Sequence, residues 1–481
     1  MSATLSWHRL SNRGIAPLLA ASVIIAFPLG DAEAQPRRGG PPPEAFKACA
    51  GLKANDACTI RAPHGRIQGQ CISRGDRPFC VPQSGPRGGP RGGPGREPGG
   101  AAGNRPQRGQ GGGGSRFGYT EGAPFAGARP VQGRLTDTGQ GTCFDERGVI
   151  ECPGPGQAFY GQDAHYRGRP FDFIDNRDGT VTDRNTGLIW QKAHNTERKT
   201  FNSAAWACSR LDLGGHKDWR LPNIKEQFSI ADFRGSQGRR FFIDAKAFDI
   251  ELPDQSILRG DRFAATHRVE MMGQTWSSTI YKGSHWDRDN VEAAFFFNYF
   301  DGHIKQAPTE GRNSLFYRCV RGATWGANKF KDNGDGTVSD AASGLIWQRA
   351  DDGKARDWKA SLAYCEGLKL AGQGDWRLPN VKELQHIVDY SRHDPAIDPE
   401  YFKQTDAKGW FWSSTTHGDN IRMASYVCFG KCVSVDGVDV HGAGAQRADP
   451  KTGDPKNFGS LGGQRDQVRI KNYARCVRDD G

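Results

Sequence analysis

The chain has 481 residues and a formal net charge of +11, with 36% hydrophobic residues, 64 Gly, 27 Pro and 12 Cys. That length suits several domains, and no apolar run of about 20 residues lies beyond the N-terminus, which excludes a polytopic membrane protein. The charge is local: residues 35–130 carry 15 Lys and Arg against 5 Asp and Glu, while the 351 residues after them carry 48 against 47, so the basic balance belongs to an arm and is no argument for nucleic acid as partner.

Residues 1–34 read as a secretory signal. Arg9 and Arg13 give a positive start, Ile15–Leu29 is a short apolar stretch, and Ala32-Glu33-Ala34 is a small-residue cleavage site that leaves Gln35 as the new N-terminus. Pro17, Pro28 and the shortness of the stretch argue against an uncleaved anchor, so membrane insertion of the mature chain is not expected. Export, to periplasm, cell surface or medium, makes disulfides the default state of the cysteines.

Residues 42–82 hold Cys49, Cys58, Cys71 and Cys80. A unit this small cannot bury enough apolar surface alone and needs two disulfides. Four cysteines allow three connectivities, and the sequence does not choose. Gaps of 9, 13 and 9 residues lack the close pairs of a zinc site. Residues 83–130 are a basic Gly/Pro/Arg-rich stretch of low complexity, expected to be a disordered linker. Within residues 131–170, Cys143 and Cys152 bracket eight residues and predict a small disulfide-closed hairpin.

The remainder is a duplication. Phe173–Ala193 and Phe330–Ala350 match at 14 of 21 positions, at an offset of 157. The offset carries Cys208 to Cys365, Trp219–Asn223 to Trp376–Asn380, and Arg318-Cys319-Val320-Arg321 to Arg475-Cys476-Val477-Arg478. Two such copies, residues 171–323 and 328–480, are tandem domains, since solenoid periods are about 20–50 residues.

Each copy opens with a hairpin, GTVTD to GLIWQ in the first. A helix follows, with Phe201, Ala205, Cys208 and Leu211 on one face, and Trp358, Leu362, Cys365 and Leu368 likewise in the second copy. Thr200 and Asp357 stand as N-caps. A second helix opens at Asn223 and Asn380, with Glu226 and Glu383 three residues on, as in a capping box. Strand-like runs close each copy: TWSST, EAAFFFNYF and FYRCV, then FWSST, ASYVCF and YARCV. The fold class is therefore α+β. Cys208 and Cys319, and Cys365 and Cys476, are each 111 residues apart and pair first helix with last strand. Cys428 and Cys432 remain, in the second copy alone, and form a disulfide across a turn.

Catalytic signatures are absent: no HExxH and no GxSxG occurs. His386 and His393 read as surface histidines, and Trp276 and Trp412 as core. Asp175, Asp178, Asp332 and Asp335 suggest a calcium loop, but the spacing of acids is wrong for a hand-type loop and a Gly-assisted turn is the better reading. No cofactor or metal is called for. Arg318 and Arg475, each beside an inward Cys, are expected on the outer face, and Arg321 and Arg478 at the strand end. These four are the candidate anion contacts.

The ordered motifs DGTVxDxxxGLIWQ, the helical Cys, DWRLPNxKE, WSST and RCVR resemble the C-terminal domain of Legionella collagen-like proteins, twice over about residues 171–480. The resemblance implies tandem C-type-lectin-like domains and a non-enzymatic adhesion role, through sulfated or anionic polysaccharide or another surface glycan. The EPN, QPD and WND marks of calcium-dependent sugar binding are missing, so such binding is expected without calcium. The relatives are trimers on a collagen stalk that this chain lacks, which leaves its oligomeric state open. DWKASLAYC followed by RLPNVKE is also similar to the helix pair of formylglycine-generating, sulfatase-modifying enzymes. That second resemblance implies, as an alternative, a copper-dependent thiol oxidase using Cys428 and Cys432. A structural envelope protein is a third reading.

Overall fold

The computed structural model describes residues 47–53, 56–62, 65–73, 78–82 and 123–480, apart from positions 196, 238, 251–272 and 312. The expected signal segment, and the expected linker up to residue 122, lie outside the described residues. The chain divides into two compact units, Met1–Pro106 and Gln107–Gly481.

In the first unit, strands β1 (Ala57–Ala62), β2 (Gly65–Ser73) and β3 (Pro78–Pro82) form an antiparallel sheet in that order. Disulfides Cys49–Cys71 and Cys58–Cys80 staple it, and all four cysteines are buried. This fixes the connectivity that spacing alone left open, and it removes four thiolates from any metal site.

In the second unit, residues 123–130, expected to belong to the disordered linker, are instead packed: Phe125 N donates to Gly141 O at 2.8 Å and Arg129–Pro130 pairs in parallel with Tyr166–Arg167. The expected hairpin follows, β4 (Cys143–Phe144) against β5 (Val149–Ile150), closed by Cys143–Cys152. The first repeat follows as β6 (Phe173–Asp175), β7 (Thr180–Asp183), β8 (Leu188–Gln191), α1 (Phe201–Ser209), α2 (Ile224–Ser229), β9 (Gln274–Ile280), β10 (Ala293–Asn298), β11 (His303–Pro308) and β12 (Val320–Arg321). The second repeats it as β13 (Phe330–Asp332), β14 (Thr337–Asp340), β15 (Leu345–Gln348), α3 (Trp358–Glu366), α4 (Val381–His386), β16 (Trp410–Thr416), β17 (Met423–Cys428), β18 (Gln446–Pro450) and β19 (Val477–Asp479). Each has a four-stranded sheet, ordered β12-β8-β7-β6 or β13-β14-β15-β19, and a three-stranded one, β9-β10-β11 or β16-β17-β18. The architecture is α+β and rich in strand.

The shared motifs are the joints of this frame. The Asp178 and Asp335 carboxylates accept from the backbone N–H and hydroxyl of Thr180 and Thr337, so each DGT holds its own turn. Gly179 and Gly336 take φ of 86° and 88° there, a conformation that disfavours any Cβ. In WSST, Trp276 and Trp412 are fully buried, as expected, and their indoles donate to Lys199 O and Arg356 O just before α1 and α3. The last Thr, Thr279 or Thr415, accepts from the first N–H of α2 or α4 at 3.0 Å. Both capping boxes form, and Arg220 and Arg377 fork onto the same Glu226 and Glu383. Asp357 caps α3, whereas Thr200 makes no cap bond to α1 and donates to Ser203 instead. Disulfides Cys208–Cys319 and Cys365–Cys476 close the two repeats.

Corresponding elements of the two repeats meet one another: α2 against α4, and β11 against β18. The motif lysines are exchanged across this seam. Lys225 Nζ donates to His386 O, the last carbonyl of α4, at 2.5 Å. Lys382 Nζ donates to Ser229 O, the last carbonyl of α2, at 2.9 Å. Each repeat thus caps the other's helix C-terminus with a lysine amine, whose N–H groups satisfy the free terminal carbonyl.

Candidate binding cleft between the repeats

The four candidate arginines do not gather into a site. Arg318 and Arg475 point inward, not outward as expected. Their guanidiniums are buried and donate to runs of main-chain carbonyls: Gln191, Lys192, Ala193 and Asp249 for Arg318, and Gln348, Arg349 and Lys403 for Arg475. The expectation failed because Arg318 precedes β12 and lies in irregular chain, where alternation of strand faces does not apply. Burial pushes both guanidiniums down to about 10. Arg321 and Arg478 do reach the surface edge, where they fork onto Asp218 and Asp375 from 2.7 and 2.8 Å.

His386 is another correction. It is buried beside Asp340 at 3.6 Å, and burial, with Lys225 nearby, lowers its pKa to about 3. It was misjudged because its counterpart Ser229 sits at the same seam, which a single repeat does not reveal. Cys428 and Cys432 are buried and joined to each other. In this state neither presents a thiol to a substrate.

The seam itself opens into a cleft of about 590 Å³, lined from both repeats by β11, β18 and the loops around them. Its size lies within the range of small-ligand sites, about 300–1,000 Å³. Strand register places two cations equivalently in it. Trp276 pairs with Phe296 and Phe296 with Lys305, while Trp412 pairs with Tyr426 and Tyr426 with Arg447. Lys305 binds Asp301 at 2.9 Å, and Arg447 binds Asp466 through Nε at 3.0 Å. His441 holds the other oxygen of Asp466 at 2.7 Å. On the floor, His303 and His417 stack 4.3 Å apart, one from each repeat. Burial lowers both imidazoles, His417 to about 4, with Arg447 adding repulsion. Lys305, His303 and Arg447 hold the Asp301 carboxyl well below the usual range despite its burial.

Several buried polar atoms of the lining have no hydrogen-bond partner. They include Arg447 Nη1, Trp286 Nε1 and Gln306 Nε2, whereas the Gln306 carbonyl oxygen is turned to the His285 imidazole as its acceptor. Native proteins pair nearly all such groups, and orphans gathered in one cleft are what a polar ligand would satisfy. None of these residues was singled out from the sequence. Gln306 and Arg447 lie on β11 and β18, and Trp286 lies in the single turn His285–Asp287.

Residues 179–321 and 336–446, together more than half of the chain, match the family model of the Lcl C-terminal domain, the C-terminal domain of Legionella collagen-like proteins. The chain belongs to this family. The two matched segments fall one in each repeat, the second ending at residue 446, at the start of β18. Membership places the chain with surface or secreted proteins of adhesion-like type. No curated protein and no solved structure is matched. Among the described residues, no helix is long and apolar enough to cross a membrane.

Proposed function

We propose that this Lcl-family chain is a secreted or surface-exposed adhesion protein that binds glycan without calcium and without catalysing a reaction. The observation that carries the reading is the polar cleft at the seam, with its unpartnered Arg447 Nη1 and Gln306 Nε2. Two further features support it. Residues 35–130, at 15 basic against 5 acidic groups, supply a sequence-independent attraction to acidic polysaccharide. The DGT carboxylates already accept from their own threonines, which favours a calcium-free mode of binding. We read each repeat as C-type-lectin-like, on the strength of its two small sheets and the disulfide from first helix to last strand.

The test is binding of the mature chain to immobilised sulfated, uronic-acid and neutral polysaccharides at low and physiological salt. Retention of acidic polymers that weakens as salt screens the arm is expected. Failure to retain any polymer at low salt overturns the reading.

A further inference from the structure

The charge of the cleft singles out a kind of sugar. Its lining contains three cations, Arg198, Lys305 and Arg447, and three carboxylates, Asp301, Asp419 and Asp466. The imidazoles in it, His285, His303 and His417, are held neutral by burial. Lys305 and Arg447 are already committed to Asp301 and Asp466. An anionic group placed against Arg447 Nη1 would also meet the two carboxylates with which these cations are already paired. A hydroxyl, which both donates and accepts, suits such a set better. Arg447 Nη1 and Gln306 Nε2 offer donors, and Gln306 Oε1 is an acceptor that a ligand hydroxyl would share with the His285 imidazole.

An aromatic ring stands in the same lining: the indole of Trp286 stacks on His285 with centroids 5.4 Å apart, and the Arg288 guanidinium lies 5.4 Å from its centroid, so a sugar would share the ring with these neighbours. Trp286 is half-buried and lines the cleft. Its backbone sits at φ 56° and ψ 36°, and Asp287 follows at φ 53°. Bulky side chains rarely occupy this region, and such strain concentrates at ligand sites. The second repeat maintains it: Trp286 N donates to Asp439 O at 3.2 Å, and the Asp287 carboxylate accepts from Asp439 N at 2.9 Å and from Lys431 Nζ at 2.7 Å. One repeat therefore presents the indole, and the other fixes its pose.

We propose that the inter-repeat cleft holds an uncharged pyranose, stacked on Trp286 and hydrogen-bonded through its hydroxyls to Arg447 Nη1 and the Gln306 amide. This rests on the glycan-binding reading above and assigns to the repeats a ligand class distinct from the acidic polymers that the arm attracts. Both repeats contribute to the site, so each chain carries one.

The experiment is calorimetric titration of the full mature chain at physiological salt. The probes are methyl glycosides of glucose, galactose and mannose, their short oligosaccharides, and methyl glucuronide as the charged comparator. Saturable binding of a neutral glycoside is expected, at one site per chain, weakened at least about tenfold by Trp286→Ala and by Gln306→Leu. Arg447→Gln, which also breaks the ion pair to Asp466, is interpreted only if its unfolding midpoint is retained. Trp286→Ala and Gln306→Leu keep the proposal testable if it is not. Three outcomes overturn the proposal: no neutral glycoside binds at millimolar concentration, binding is indifferent to Trp286→Ala, or methyl glucuronide binds about tenfold tighter than its neutral counterpart. The last leaves the glycan-binding reading standing and removes only the neutral ligand. Loss of the reading itself shows separately, as failure to retain any polysaccharide at low salt.

Discussion

Arg475 donates to the carbonyls of Gln348, Arg349 and Lys403 and lies 3.7 Å from Asp351. Removing the fork strands those acceptors in the interior, where each loses its partner without gaining water. Arg475→Met keeps much of the stem and is expected to cost about 3 kcal/mol. A urea midpoint indistinguishable from the parent's would show that the carbonyls find other partners. Asp163 offers a second test at this scale. It accepts from Thr138 and Thr415, at 2.9 and 2.5 Å, and burial, reinforced by Asp137, pushes its pKa from 3.8 up to about 8. An acid whose folded pKa is raised keeps a proton that the unfolded chain has released. Its contribution to stability is therefore lost progressively as pH rises from about 4 to about 8, and is flat above that. Asp163→Asn should abolish this component, so that its stability falls less than the parent's between about pH 5 and about pH 9. Parallel pH profiles of parent and variant would contradict the assignment.

At the scale of elements, α2 and α4 begin with the same capping box, yet their surroundings differ. Ile224 N and Val381 N donate to Thr279 and Thr415, but Thr415 is fully buried while Thr279 is half-buried. Thr415→Val should therefore cost about 1–3 kcal/mol, and Thr279→Val less, because water can replace the lost partner in the first repeat. Equal costs from denaturant melts would argue against that ordering. Local chemistry of this kind was legible in the sequence: an Asn with a Glu three residues on has essentially one use, and both boxes formed. The same holds for the faces of α1 and α3 and for the disulfides that tie them to the last strands. Elements without a local signal were not legible. HIKQAP and QRADP have few β-branched residues and no clean alternation, so β11 and β18 passed unnoticed, and the cleft with them. Arg318 and Arg475 were misplaced because a rule for strands was applied just outside a strand. His386 and the lysines of the LPNxKE motif take their meaning from the other repeat, which no window of one copy contains.

At the scale of the whole molecule, the duplication acts as a built-in two-fold pairing. Like elements meet like, and Lys225 and Lys382 exchange helix caps, as in an isologous dimer joined into one chain. Lys382 is buried and Lys225 half-buried, and burial lowers their pKa values to about 7 and about 8. The buried apolar residues run on without a break from Trp190 and Phe228 of the first repeat to Trp347 and Leu384 of the second. A seam made this way should not open independently of the repeats it joins. Calorimetric scans are therefore expected to show one cooperative transition for residues 107–481. Replacing Cys365 and Cys476 by Ala tests the coupling. The lost disulfide closes a span of 111 residues, worth on the order of 4–5 kcal/mol in the chain-entropy model. If the seam couples the repeats, that loss lowers the melting of both together. Probes in the first repeat, such as hydrogen exchange along β10, should then shift as far as probes along β17. Two resolved transitions, with the first repeat melting as in the parent, would mean that the repeats only touch. The seam could then open while both stay folded, and the cleft would be a gap between two independent domains.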